Sequence, residues 1–279
     1  MRNLLAFLLL FIVILPVECT MPAGHNDEKI TEARGYSRKD PFHELCQYWE
    51  VTDAENPTFR DIYDQHTQGI LNYPGIIFMT DSTLLENPRA TMRYGKFLFK
   101  GKVISAQFDD GKTAVYTIQD IQNTNMILRR VEKDHATTLT LKGSGVFWPD
   151  AKLNPFNKIN SRWRIKPAKA ESPQALRERL KECVQFYEYF FQGHAGSETS
   201  EIDFMGLPSC FKWYQGGIYV QGPKNLDRKW INCFYSEGQA FEARQMMEDV
   251  LSKKYDWDST QTNWIKQTVT VLKQIHDNM

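Results

Sequence analysis

The sequence predicts an α+β chain: an antiparallel up-and-down β-barrel over residues 41–168, then a smaller mixed α+β unit over 169–279 that ends in helices. Three observations predict it. Between Tyr48 and Lys166, short β-branched or aromatic runs alternate with polar residues at a period of two. The connectors there are turn-like (Lys100-Gly101, Asp109-Asp110-Gly111, Gln122-Asn123-Thr124-Asn125, Lys133-Asp134-His135), which makes consecutive strands antiparallel neighbours. After Lys166 the apolar spacing lengthens to that of a helix. A meander of about eight strands relieves its edges most simply by closing on itself; an open sheet or sandwich is the alternative.

The chain opens with Met1-Arg2 and an apolar run from Leu4 to Leu15, leaving through Pro16-Val17-Glu18-Cys19. A basic start, roughly a dozen apolar residues and a small residue at the exit describe a signal peptide over 1–19. A spanning helix wants about twenty apolar residues, so an uncleaved anchor is the weaker reading. Cys19 leaves two others open: cleavage after it, or lipidation on it, against which Glu18 argues. The mature chain is thus expected outside the cytoplasm, periplasmic or secreted, with membrane attachment only through lipid at Cys19. Residues 20–40 are polar and aperiodic and read as a flexible spacer.

The expected strands, in order, are Tyr48–Thr52, Gly75–Thr80, Tyr94–Phe99, Lys102–Phe108, Thr113–Ile118, Met126–Val131, Thr137–Lys142 and Arg162–Lys166. One connection is long. Between Asp53 and Pro74, Thr58–His66 suggests a short helix, and Phe59, Tyr63 and Tyr73 make an ordered lid over one mouth the preferred reading. Beyond the proline-bearing Lys166-Pro167-Ala168-Lys169 boundary, Ser172-Pro173 starts a helix that Gly193 ends. Strands are then expected at Cys210–Tyr214, Gly217–Gln221 and Trp230–Tyr235. Two helices close the chain, one striped by Ala240, Ala243, Met247 and Val250. The other is capped by Asp258 or Ser259 and striped by Trp264, Thr268, Val271 and Ile275.

The stretch Leu45-Cys46-Gln47-Tyr48-Trp49-Glu50-Val51 carries a tryptophan near the start of the first strand. The runs Ile76-Ile77-Phe78, Gly95-Lys96-Phe97, Tyr116-Thr117-Ile118 and Met126-Ile127-Leu128 follow it. In this order the amino-terminal half resembles the lipocalin-like domains of exported Bacteroidota proteins. Gln47 stands where a lipocalin Gly-x-Trp motif has its glycine. The resemblance implies a barrel with an apolar interior and does not imply a particular ligand.

Lysine plus arginine and aspartate plus glutamate stand at 34 each, so no global field draws nucleic acid or an anionic membrane. No G-x-S-x-G, Walker loop or G-x-G-x-x-G occurs, and the histidines are scattered without a zinc spacing. No catalytic residue, metal or cofactor is therefore expected. Cys46, Cys183, Cys210 and Cys233 read as cystines in an exported chain, with one link among the last three and Cys46 joined to the remaining one; buried free thiols are the alternative. Arg162, Arg164 and Lys166 alternate with Trp163 and Ile165, as on a surface strand. A sharper reading makes them a cationic patch for an acidic partner or head group, extended by Lys96, Arg129 and Arg130.

The functional expectation is a non-catalytic exported protein holding a small apolar or amphipathic ligand in its barrel. The lining residues would be Trp49, Phe59, Tyr63, Phe78, Phe97, Phe99 and Tyr116. The alternative is a structural or interaction module of an envelope complex, docking through Phe211, Trp213, Tyr214, Trp230, Phe234 and Tyr235.

Overall fold

Eight strands pair in chain order and close: β1 (Tyr48–Ala54), β2 (Gly75–Phe78), β3 (Thr83–Glu86), β4 (Arg93–Lys100), β5 (Val103–Phe108), β6 (Thr113–Gln122), β7 (Asn125–Glu132) and β8 (His135–Gly143). The computed structural model describes residues 41–55, 75–88, 92–122, 124–144, 148, 150–194, 207–214, 217–252, 255 and 263–279. The segments read as signal peptide and spacer lie outside these residues, as does the part of the lid from 56 to 74, while Asp53 and Ala54 belong to β1. Closure comes from β8 pairing back onto β1, with Trp49 opposite Gly143 and Val51 opposite Leu141. The barrel is thus antiparallel and up-and-down, and its strands leave no edge unpaired.

Period-two alternation sorts the side chains. Trp49, Ile76, Phe78, Leu84, Phe97, Ile104, Tyr116, Leu128 and Leu139 face the interior and pack as one cluster. Gly101 and Gly111 take positive φ in the β4–β5 and β5–β6 turns, where a side chain would strain the backbone. A short helix not expected from the sequence, α1 (Pro41–Leu45), closes one end. Leu45 joins the interior cluster, Phe42 packs on Phe97 and Phe99, and the Trp49 indole donates to the Leu45 carbonyl at 2.9 Å.

The second layer holds α2 (Pro173–His194), a hairpin of β9 (Phe211–Tyr214) and β10 (Gly217–Val220), α3 (Arg228–Asn232), α4 (Glu237–Leu251) and α5 (Trp264–Asp277). Helix α2 packs along α5. Ser172 Oγ accepts from the Ala175 N–H at the start of α2, as expected. The start of α5 is corrected: Asn263 caps it, accepting from Lys266 N–H, and the expected cap at Asp258 or Ser259 lies outside the described residues. The outward-facing Tyr48, Ile77, Met79 and Leu85 of the barrel share a core with Leu176, Phe186, Trp230 and Leu272 of this layer. One flank of the barrel is thereby covered. On the opposite flank Leu98, Val103, Val115 and Ile127 stay exposed.

Several expectations are overturned. The expected strand at Arg162–Lys166 is a 3-10 turn over Arg162–Arg164. Once β8 has closed on β1, no barrel edge remains for it to join. The eighth strand is instead β3, whose Leu84 and Glu86 face inward while Leu85 faces the second layer, so no polar face betrays it. The run Trp230–Tyr235 belongs to α3 and the turn after it; Asp227 starts that helix by accepting from Lys229 N–H. Cys46, Cys183, Cys210 and Cys233 are buried and form no cystine among themselves. The last three share the second-layer core, where they act as small apolar residues. The expected docking aromatics Phe211, Trp230 and Phe234 are core as well, and Tyr235 is exposed.

Candidate functional site

The barrel interior has two chemically different ends. Connections β1–β2, β3–β4, β5–β6 and β7–β8 gather at the end away from α1, following from the antiparallel order. There the inward positions turn polar. In β7 the inward series runs Met126, Leu128, Arg130, Glu132, and in β4 Arg93 precedes the inward Gly95 and Phe97.

These side chains form one ionic cluster around Glu86, which is 1% exposed. Its Oε1 accepts from Arg130 Nε at 2.7 Å and from the Tyr116 hydroxyl at 2.5 Å. Its Oε2 accepts from Arg93 Nη1 at 3.1 Å and Arg130 Nη2 at 3.2 Å. Arg93 also donates to both Glu132 oxygens, at 2.9 and 3.0 Å, and its Nε to Asp110 at 3.2 Å. Its guanidinium lies 3.6 Å over the Phe108 ring. Arg130 Nη2 donates to Glu132 as well. Partial burial alone would raise the Glu132 pKa, but bonds from Arg93 and Arg130 outweigh it and hold the carboxyl below its ordinary value. Arg93 is raised: the carboxylates around it outweigh its desolvation.

Of the residues expected to line a ligand site, the barrel brings Trp49, Phe78, Phe97 and Tyr116 together. Phe78 and Phe97 meet edge to face at 5.3 Å, and Phe78 and Tyr116 at 6.3 Å. Phe99 is half-buried beside them at the α1 end. Phe59 and Tyr63 lie outside the described residues. Trp49, Leu84, Ile104, Tyr116, Leu128 and Leu139 are all 0% exposed, so no water-sized space touches the centre of the barrel. An occupant would have to displace interior side chains.

Sequence reasoning missed the ionic end. The signal was present: Arg130 falls at an inward position, two residues beyond Leu128. The cationic patch expected on Arg162, Arg164, Lys166, Lys96, Arg129 and Arg130 is not one surface. Arg130 is inside the barrel, Arg162 pairs with Glu182 and Lys96 with Asp81. Outside the barrel, a groove of about 780 Å³ lies between β3–β4 and the segment 150–159. Asp81, Asp109 and Asp150 line it together with Lys96, Lys152 and Lys158, so its charges cancel.

No family model matches the chain, and no curated protein resembles it in sequence. Among solved structures it is similar to a complex of bovine odorant binding protein with a selenium-containing odorant. That match has 14% identity over 41% of this chain and 79% of that chain, with a TM-score of 0.27.

Proposed function

We propose that the chain is a non-catalytic exported binding protein, lipocalin-like in kind, that takes a small apolar or amphipathic ligand into its barrel. The observation that carries the reading is the polarity of the interior. It is apolar and closed by α1 at one end, and edged by a buried ionic cluster at the other. Such a gradient suits a ligand with an apolar body and a polar end. The apolar body would lie against Phe78, Phe97 and Tyr116, with the polar end toward Arg93 and Glu132. Export, in soluble or lipid-anchored form, belongs to the same proposal and is supported by the apolar run before Cys19.

A second reading has its own observation. The closely filled barrel centre favours a scaffold that presents surfaces within an envelope complex. Titration with a fluorescent long-chain amphiphile separates the two. A carrier gives saturable one-to-one binding that an unlabelled long-chain amphiphile competes away. A wild-type protein that binds no amphiphile rules out the carrier and leaves the scaffold.

A further inference from the structure

The barrel wall turned away from the second layer is apolar and basic together. The strand registers set its outward positions in rows. One row runs Leu98, Ser105, Val115 and Val131 from β4 to β7, and the next runs Lys100, Val103, Thr117 and Arg129. Leu98 is 70% exposed, Val103 40%, Val115 42% and, one row further, Ile127 38%. Lys102 follows Lys100 in the β4–β5 turn. Lys100, Lys102 and Arg129 are exposed, and none of the three pairs with a carboxylate. Lys96 and Lys112, by contrast, are held by Asp81 and Asp110. Asp120 is the one carboxylate at an outward position of β4 to β7. The basic turn lies at the α1 end, where Phe42 of α1 packs 6.2 Å from the Phe99 ring. The acidic turn residues Asp109, Asp110 and Asp134 lie at the opposite end.

Exposed apolar side chains gathered on one face mark an interaction surface, whereas scattered ones need no explanation. The unpaired cations among them say what kind. Two copies packed wall to wall would crowd Lys100, Lys102 and Arg129 of both into one interface, with only Asp120 on each to offset them. The wall of a closed barrel is also convex, which suits a broad, yielding surface. We propose that this wall docks on the surface of an anionic lipid bilayer. Leu98 and Val103 enter the head-group layer, and Lys100, Lys102 and Arg129 meet the lipid phosphates. The chain as a whole is neutral, with 34 charges of each sign, so the attraction is local and acts within a Debye length, about 8–10 Å. The chain enters the body at α1, so an attachment before Pro41, such as lipid on Cys19, tethers the same end. Docking of this kind needs no ligand in the barrel.

The test is co-sedimentation of the full mature protein with lipid vesicles. Vesicles of phosphatidylglycerol mixed with phosphatidylcholine should bind it, phosphatidylcholine alone should not, and added sodium chloride should release it. Lys100→Gln, Lys102→Gln and Arg129→Gln together should weaken binding about a hundredfold, each charge near the surface contributing about fivefold. Leu98→Ser should weaken it roughly tenfold. All four positions are exposed, and circular dichroism checks that the variants fold. If a variant does not fold, the wild-type comparison of the two vesicles decides. No binding to either vesicle, or equal binding to both (lipid on Cys19 acting alone), would overturn the proposal. So would folded variants that bind like wild type, or equal affinity for soluble polyglutamate, which would point to an acidic protein partner instead. The vesicles report on the outer wall and the amphiphile titration on the interior, so either reading can fail without the other.

Discussion

Replacing Glu86 by glutamine puts the ionic cluster to its hardest test. The carboxylate uses both oxygens twice, accepting from Arg130 Nε and Nη2, Arg93 Nη1 and the Tyr116 hydroxyl. Glutamine keeps one acceptor oxygen and turns an NH₂ toward guanidinium donors. Breaking a buried ion pair by removing one partner costs about 3–5 kcal/mol. Here Glu132 still holds both arginines, and Asp110 still holds Arg93. The loss should therefore sit near the low end, at about 3 kcal/mol. For a folded unit of this size that lowers the melting temperature by about 6–12 °C. Tyr116→Phe removes only one bond to the charged acceptor and should cost about 1.5–3 kcal/mol. Because both changes touch one carboxylate, the double variant should cost less than the sum of the singles. Differential scanning calorimetry of the four proteins measures all of this. A Glu86→Gln variant melting within about 2 °C of wild type would refute the claim that this carboxylate organises the end of the barrel.

Further expectations follow from the same geometry. The folded Glu132 pKa lies below its ordinary value of 4.5, so its contribution is full above that pH and lost as the pH falls through the folded value. Urea unfolding from pH 6 downward should show stability falling with acid below the pH given by that ordinary value, and Glu132→Gln should flatten the slope. Cys183, Cys210 and Cys233 are buried and their thiols pushed upward, Cys233 to about 12. Ellman's reagent at pH 8 should leave these three unlabelled in the native protein and label them in denaturant; rapid native labelling, or none after unfolding, would contradict the free buried thiols. Gly95→Ala would place a Cβ 2.6 Å from the Gln107 carbonyl of the neighbouring strand. It should destabilise by about 1–3 kcal/mol in chemical unfolding, and a neutral outcome would contradict the close β4–β5 approach.

The barrel was legible where one face of a strand meets solvent. Strands β5 to β8 alternate because their outer face is open, and their turns carry glycine or polar pairs. Strand β3 was invisible for the opposite reason. Leu84, Leu85 and Glu86 are all buried, since the second layer covers the face that would otherwise be polar. Arg162–Lys166 shows the converse error, alternating without being a strand. Trp163 is drawn into the α2 core, Arg162 reaches Glu182, and the backbone turns between them. The aromatic run from Trp230 to Tyr235 has strand-like composition, but the Asp227 cap and the fully buried Trp230 and Phe234 select a helical turn. At the candidate site, Trp49, Phe78, Phe97 and Tyr116 could be found by parity alone. The ionic cluster was signalled only by the inward parity of Arg130, because Glu86, Arg93 and Glu132 sit at strand ends, where charge ordinarily means solvent.

Native mass spectrometry of the protein purified from its own source tests the ligand-binding account most directly. The account predicts a folded species heavier than the mature polypeptide by one small molecule, which denaturation releases and organic extraction recovers as an apolar or amphipathic compound. A folded species with the mass of the bare polypeptide, unchanged after exposure to an extract of that source, would contradict it.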